Sequence, residues 1–404
     1  MHLSDRIQAL KISPIRRLIP YADEAKAKGK KVYHLNIGQP DIKTPDQYFE
    51  AIKNFRPNTV AYAVSQGIPQ LREAMSNYYQ GIGVDYDPSD IYVTCGGSEA
   101  LSFAVMILCD PGDEILVPEP FYANYNTFAR LALANLIPIP TKAEDGFHLP
   151  PAAEIEKLIT PKTRAIWVSH PCNPTGVLYR PDEIAMLTGI AKKHDLYIIA
   201  DEVYREFTYG QGSKAFMSFA SIPETMDRVI MIDSVSKRYS ACGARIGCIA
   251  IKNKEFLAQV MKLCQGRLSV SAIEQAASVG LYSTPKSYLD EVNKEYKIRR
   301  DVLYKGLRAI DGVVCHEPEG AFYTMVRLPV DDSEKFIIWM LQNFDINGET
   351  TMAAPGSGFY AAANKGLNEV RMAYVLKKED LEKALDILKN AIAAYPGRLE
   401  AIRA

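Results

Sequence analysis

Six short apolar runs punctuate the first two thirds of the chain, and none of them alternates. They lie at residues 91–94, 114–117, 165–169, 196–200, 229–232 and 247–251. They are rich in Val and Ile, with little recurrence of polar residues at every second position. A strand with one wet face would show that recurrence, so these runs predict strands buried on both faces. Helical periodicity fills the intervals, most clearly at 71–79, 98–108 and 181–194. Strands and helices in this order predict crossover units: an α/β fold whose mainly parallel sheet is flanked by helices. After Pro285 the texture changes. Residues 288–310 read as one long charged helix leaving the large domain. Short strands follow at 313–315, 321–327 and 370–373. A terminal amphipathic helix then sets Leu381, Ala384, Leu385, Leu388 and Ile392 on one stripe. The expected division is a large domain over 45–287 and a smaller α+β domain built from 1–44 and 288–404.

Composition narrows the class. A chain of 404 residues that is 48% hydrophobic is a folded globule with room for this division. A net charge of -1 gives no general attraction to nucleic acid or to an anionic membrane. The seven cysteines are scattered and never form C-x-x-C. That favours reduced thiols over a disulfide framework or zinc site, and a cytoplasmic location. The N-terminus carries no signal peptide, and no apolar run spans a bilayer. The six histidines lack metal-ligand spacing. No G-x-G-x-x-G follows a strand, which disfavours a dinucleotide-binding dehydrogenase.

The chemistry concentrates in residues 234–247 (SVSKRYSACGARIG). One lysine, Lys237, sits among small and hydroxylated residues, with Arg245 eight positions on. A lysine held as a neutral amine forms imines with aldehydes. The hydroxyls and the arginine suit a phosphate. An aldehyde that carries a phosphate is pyridoxal 5'-phosphate. A buried lysine paired with a carboxylate would give the same local pattern.

Seven further motifs decide between these readings. In chain order they are 34–41 (HLNIGQPD), 94–100 (TCGGSEA), 117–122 (VPEPFY), 173–176 (NPTG), 201–204 (DEVY), 318–323 (PEGAFY) and 370–374 (VRMAY). Together with the lysine segment, the chain resembles the class I/II aminotransferases, fold type I enzymes dependent on pyridoxal phosphate, from about Ile12 to the last helix. The resemblance implies Lys237 as Schiff-base lysine and base, Asp201 at the ring nitrogen, and Tyr204 with Asn173 at the ring hydroxyl. Asn173–Pro174 is often cis in that family. Tyr122 matches the aromatic residue stacked on the ring. Gly97, Ser98, Glu99, Ser234, Ser236 and Arg245 match the phosphate cup. A strand that runs through two glycines into a helix start also presents free N–H groups to an anion. Arg371 is assigned to the substrate α-carboxylate, because a planar guanidinium binds a carboxylate through two parallel hydrogen bonds. Gly38 lines the substrate site. Tyr62 matches a tyrosine that reaches the neighbouring subunit's phosphate, which implies a homodimer with shared sites.

The expected reaction is ping-pong transfer of an amino group between an L-amino acid and a 2-oxo acid. Aspartate or glutamate is a candidate donor. Some aspartate-specific members carry a lysine where this chain has Ser98. Arg267 lies near a cross-subunit loop of the family, so it is either a reader of a distal substrate carboxylate or a structural arginine. A C–S β-lyase on the same scaffold is the rival reaction. A non-enzymatic PLP-sensing regulator would need a basic DNA-binding module ahead of the match, and residues before Ile12 leave no room for one.

Overall fold

A computed structural model describes residues 3–10, 12–210 and 216–400. Its centre is a seven-stranded sheet. In chain order the strands are β1 (Ile91–Thr94), β2 (Glu114–Glu119), β3 (Asn135–Pro140), β4 (Thr163–Ser169), β5 (Tyr197–Asp201), β6 (Val229–Ser234) and β7 (Gly247–Ala250). Across the sheet they run β1-β7-β6-β5-β4-β2-β3. Only β7 is antiparallel to its neighbours; every other pairing is parallel.

The lack of alternation has a direct cause. Ile166 and Val168 of β4, with Ile198 and Ala200 of β5, enter one apolar cluster. Their neighbours Ala165, Trp167 and Ile199 enter a second cluster on the opposite face. Helices cover both faces, so the central strand residues are buried on either side. At about 1.5–3 kcal/mol per buried aliphatic side chain, this is where most of the sheet's stability arises.

A third cluster forms around the C-terminal part. The long helix spans Lys286–Arg308, two residues earlier at each end than expected. It starts directly after Pro285, a residue suited to a helix entrance and unsuited to its interior. The strands Val314–Cys315, Tyr323–Arg327, Ala354–Pro355 and Glu369–Ala373 make a four-stranded antiparallel sheet. The terminal helix Lys378–Ala394 buries Leu381, Ala384, Leu385, Leu388 and Ile392, the expected stripe. The N-terminal strand Lys31–His34 pairs in parallel with Glu349–Met352, so the start of the chain folds back onto this part. Sequence periodicity missed the helices Lys254–Arg267, Ala272–Leu281 and Ser333–Asn343. Among the described residues, no helix is long and apolar enough to cross a membrane.

Candidate active site

The C-terminal ends of the parallel strands form the crevice in which open α/β sheets bind ligands. Lys237 stands there on the one-turn helix Val235–Arg238, which follows β6 without a break. Its Nζ donates to the Gly38 carbonyl at 2.9 Å and lies 3.7 Å from Cys242 Sγ. Asp201 ends β5, in register with Ser169 of β4. Its Oδ2 accepts from the Tyr125 hydroxyl at 2.7 Å, while its buried Oδ1 has no hydrogen-bond partner. Burial pushes the carboxyl up to about 6, against the Tyr125 hydroxyl and the Val203 N–H, which favour the charged form. A buried carboxylate oxygen left unpaired costs free energy until a donor meets it.

Arg371 lies on Glu369–Ala373 and is 1% exposed. Nη1 donates to Asn173 Oδ1 at 2.9 Å and Nη2 to the Asn36 carbonyl at 2.8 Å. Nε is buried without a partner. The guanidinium stands 4.4 Å from the Tyr323 ring centroid. The Asn173–Pro174 bond is cis, as expected. Tyr323 joins the two halves of the site: its hydroxyl is 3.0 Å from that of Tyr204 and 3.5 Å from the Gly38 carbonyl. Burial, with Tyr323 beside it, holds the Tyr204 hydroxyl well above its ordinary value. A Cβ at residue 38 would fall 1.8 Å from the Tyr323 hydroxyl, so any side chain there has to displace that ring.

Gly96 opens the helix Gly96–Leu108 at a φ of +72°, and Gly97, Ser98 and Glu99 complete its first turn. A Cβ on Gly96 would stand 2.5 Å from Arg245 Nη2, so the arginine packs against the bare helix start. Arg245 also donates Nη1 to the Cys242 carbonyl at 3.0 Å. The Ser234 and Ser236 hydroxyls lie 2.7 Å apart on the neighbouring turn. The Tyr122 hydroxyl accepts from Asn124 Nδ2 at 2.8 Å, and its ring meets Tyr125 edge-on at 5.6 Å. Burial pushes the Tyr122 hydroxyl up to about 12; Tyr323 adds to this, and the charges of Arg371 and Arg16 oppose it.

Two expected residues stand apart from this group. The Tyr62 side chain is 81% exposed on a loop. Arg267 faces inward: Nη2 donates to the carbonyls of Ser65 and Val93, and Nη1 lies 3.7 Å from Glu99 Oε2. Its Nε and Nη1 are buried. Within this chain these contacts match the structural-arginine reading of Arg267. The backbone turns immediately after it, at Leu268 with φ +76°.

Sequence reasoning assigned no role to Tyr125, Tyr323 or Asn36. Tyr125 was legible as the aromatic residue three positions after Tyr122. Asn36 and Tyr323 sat inside recognised motifs, but their contacts come from distant segments. A buried ionic group beneath Lys237 was also missed. Arg238 donates to Asp233 at 2.5 Å, Tyr79 to Asp233 at 2.9 Å and Arg205 to Glu202 at 2.7 Å.

An amine, an orphaned carboxylate oxygen and an arginine-backed helix start suit the aldehyde, ring nitrogen and phosphate of one group, pyridoxal 5'-phosphate. The fold and site thus define a pyridoxal-phosphate enzyme of fold type I. The family model "Aminotransferase class I and II" matches residues 30–388. The chain belongs to that family and is a PLP-dependent aminotransferase. It is 29% identical to an aspartate aminotransferase of Bacillus subtilis, over 98% of this chain and all of that one. The solved aspartate aminotransferase of Thermus thermophilus with maleate superposes with a TM-score of 0.88 at 28% identity, covering 97% of this chain and all of that one. The alanine aminotransferase of Pyrococcus furiosus also gives 0.88, at 32% identity over 96% of this chain and 99% of that one. These relatives favour transamination over the C–S lyase reaction.

Proposed function

We propose that the enzyme moves the amino group of an acidic L-amino acid, aspartate or glutamate, to a 2-oxo acid in a ping-pong cycle. The observation that carries the amino-acid half is Arg371. Its guanidinium is buried, fixed by Asn173 and Asn36, and has Nε to spare for a carboxylate. When bound, pyridoxal phosphate supplies an aldehyde for the amine and a ring that takes up electrons. Lys237 would hold that aldehyde, and its freed amine would serve as the base that moves the substrate α-proton. Asp201 keeps positive charge at the ring nitrogen. Tyr204 and Asn173 would hydrogen-bond the ring hydroxyl, and Tyr122 would stand beside the ring. Gly97, Ser98 and Glu99, with Ser234, Ser236 and Arg245, hold the phosphate. Gly38 lines the substrate side.

The same reading makes the protein a homodimer, with Tyr62 of the partner subunit completing the phosphate site. Support comes from the exposed apolar surface of that loop, where Val60 is 70% and Tyr62 81% exposed. We also read residues 45–287 as the large domain and 1–44 with 288–404 as the small one. The seven free cysteines support a reducing, cytoplasmic setting.

With Arg267 turned inward, we assign the distal carboxylate to Arg16. It is exposed, and its charge bears on Tyr122. Its neighbour Ile15 is pinned through its carbonyl to Asn36 Nδ2 at 3.0 Å. Asn36 in turn holds Arg371. The names of the aspartate aminotransferases above support the acidic donor. A neutral donor such as alanine is the second reading, favoured by Ser98 in place of a lysine and by the Pyrococcus relative. A panel of aspartate, glutamate, alanine and phenylalanine with wild type and Arg16→Gln tests the choice. The variant should lose about ten- to a hundredfold in kcat/KM on the acidic donors only. Wild-type preference for alanine would overturn the acidic reading.

A further inference from the structure

We propose that Arg267 is a positioning residue for the phosphate end of the cofactor site, latching the loop that carries Tyr62 to the start of the helix Gly96–Leu108. This inference rests on the phosphate-end reading given above.

Arg267 is the last residue of Lys254–Arg267. One nitrogen, Nη2, bridges two carbonyls, Ser65 at 3.1 Å and Val93 at 3.2 Å. Ser65 lies three residues beyond Tyr62. Val93 lies on β1, three residues before Gly96. The same loop is tied down by the Val93 N–H, which donates to the Gln66 carbonyl at 2.9 Å. The arginine therefore fixes the spacing between the tyrosine loop and the strand that delivers the phosphate-binding turn.

Its second contact is electrostatic. Nη1 lies 3.7 Å from Glu99 Oε2, with the arginine side chain 16% exposed. That carboxylate oxygen also accepts the Cys95 N–H at 2.8 Å. An acidic group in a helix's first turn stabilises the helix. It also repels a phosphate dianion held by the same amides. A neighbouring arginine, poorly screened because it is largely buried, offsets that repulsion. Both contributions act on the phosphate and leave the ring untouched.

The test compares pyridoxal phosphate with pyridoxal, which lacks the phosphate, on the reconstituted full-length enzyme by cofactor absorbance. Arg267→Met should weaken pyridoxal phosphate about ten- to a hundredfold. Pyridoxal affinity, kcat at saturating cofactor and KM for the amino donor should each stay within about twofold. Arg267→Lys should recover part of the loss, since it restores the charge without the two-carbonyl bridge. Adding Glu99→Gln to Arg267→Met should recover part as well, and no recovery there overturns the electrostatic half. Equal weakening of both cofactors, or weakening of neither, overturns the inference. Arg245→Met separates the two levels. If it too leaves the ratio of the two affinities at the wild-type value, the phosphate-end reading itself fails. If Arg245→Met lowers the ratio and Arg267→Met does not, only the role of Arg267 fails. Should the methionine variant not fold, Arg267→Gln is judged by the same criteria.

Discussion

Asp201→Asn should make the apoprotein less sensitive to pH while disabling the enzyme. The aspartate is buried with one oxygen unpaired, and its carboxyl is raised from 3.8 to about 6. Each pH unit of displacement is worth about 1.4 kcal/mol, so keeping this group ionised costs the apoprotein about 3 kcal/mol. The sign follows from proton binding. Between pH 3.8 and about 6 the native state holds a proton that the unfolded state has released. Native stability therefore falls as pH rises through that window, and the loss is complete above it. Asparagine does not titrate. Its carbonyl still accepts from Tyr125, and its amide takes the place of the unpaired oxygen. Any constant penalty for that amide shifts the whole curve, whereas the pH-dependent part is specific to the charge. The assay is equilibrium urea unfolding of the two apoproteins at equal concentration across about pH 4 to 8. The stability of the Asp201→Asn variant minus that of wild type should rise by about 2.5 kcal/mol from the acid end to the neutral end. Turnover should fall by at least about a hundredfold, because an amide cannot hold positive charge at the ring nitrogen. A flat difference curve would refute the buried-charge argument. Near-normal turnover would refute the role of Asp201 opposite the ring nitrogen.

Lys237→Ala should abolish turnover yet still bind pyridoxal phosphate, and borohydride should fix the cofactor to Lys237 alone in wild type; a label on another lysine would count against the site. Arg371→Lys removes the planar fork and should cost about ten- to a hundredfold in kcat/KM for every amino donor, acidic or neutral; an effect confined to one donor class would mean Arg371 reads the side chain. Gly38→Ala drives a methyl group into the Tyr323 hydroxyl, 1.8 Å away before relaxation; it should displace the Tyr204–Tyr323 pair and lower kcat/KM, and unchanged kinetics would show that this contact is dispensable. Subunits carrying Lys237→Ala mixed with subunits carrying Tyr62→Phe should regain activity over either pure variant, given that Tyr62→Phe is impaired alone; no regain would argue against sites shared across the dimer.

The sheet was legible because its strands are buried on both faces, a condition written in uninterrupted runs such as Ile198-Ile199-Ala200. The terminal helix was legible because only one stripe is buried. Lys254–Arg267 was not, because its buried residues Phe256, Leu257, Val260 and Cys264 are set among lysines and glutamines that blur the periodicity. In the site, motifs announced residues but not contacts. Arg371 was readable from its motif, yet its partners Asn36 and Asn173 lie 335 and 198 positions away. Arg267 shows the same gap in reverse. Its position suggested a substrate pocket, and only the fold reveals that two carbonyls and a glutamate engage it.

The contacts of Arg371 bear on its proposed role as a carboxylate clamp. Free arginine loses side-chain freedom when it binds a carboxylate, and that loss opposes binding. Here Asn173, just past β4, and Asn36, just past Lys31–His34, already hold the guanidinium from two separate segments. The rings of Tyr323 and Phe359 stand 4.4 and 5.0 Å from it. Most of the ordering is therefore complete before substrate arrives. The remaining unpaired Nε is an unmet demand of the same kind as Asp201 Oδ1. One asks for an anion and the other for a cation. A protonated pyridine ring would meet the second demand and a zwitterionic amino acid the first, and an uncharged ligand would leave the arginine's charge buried without an anion. Discrimination against such ligands follows from that penalty, which for a buried charge exceeds the gain from any single new contact.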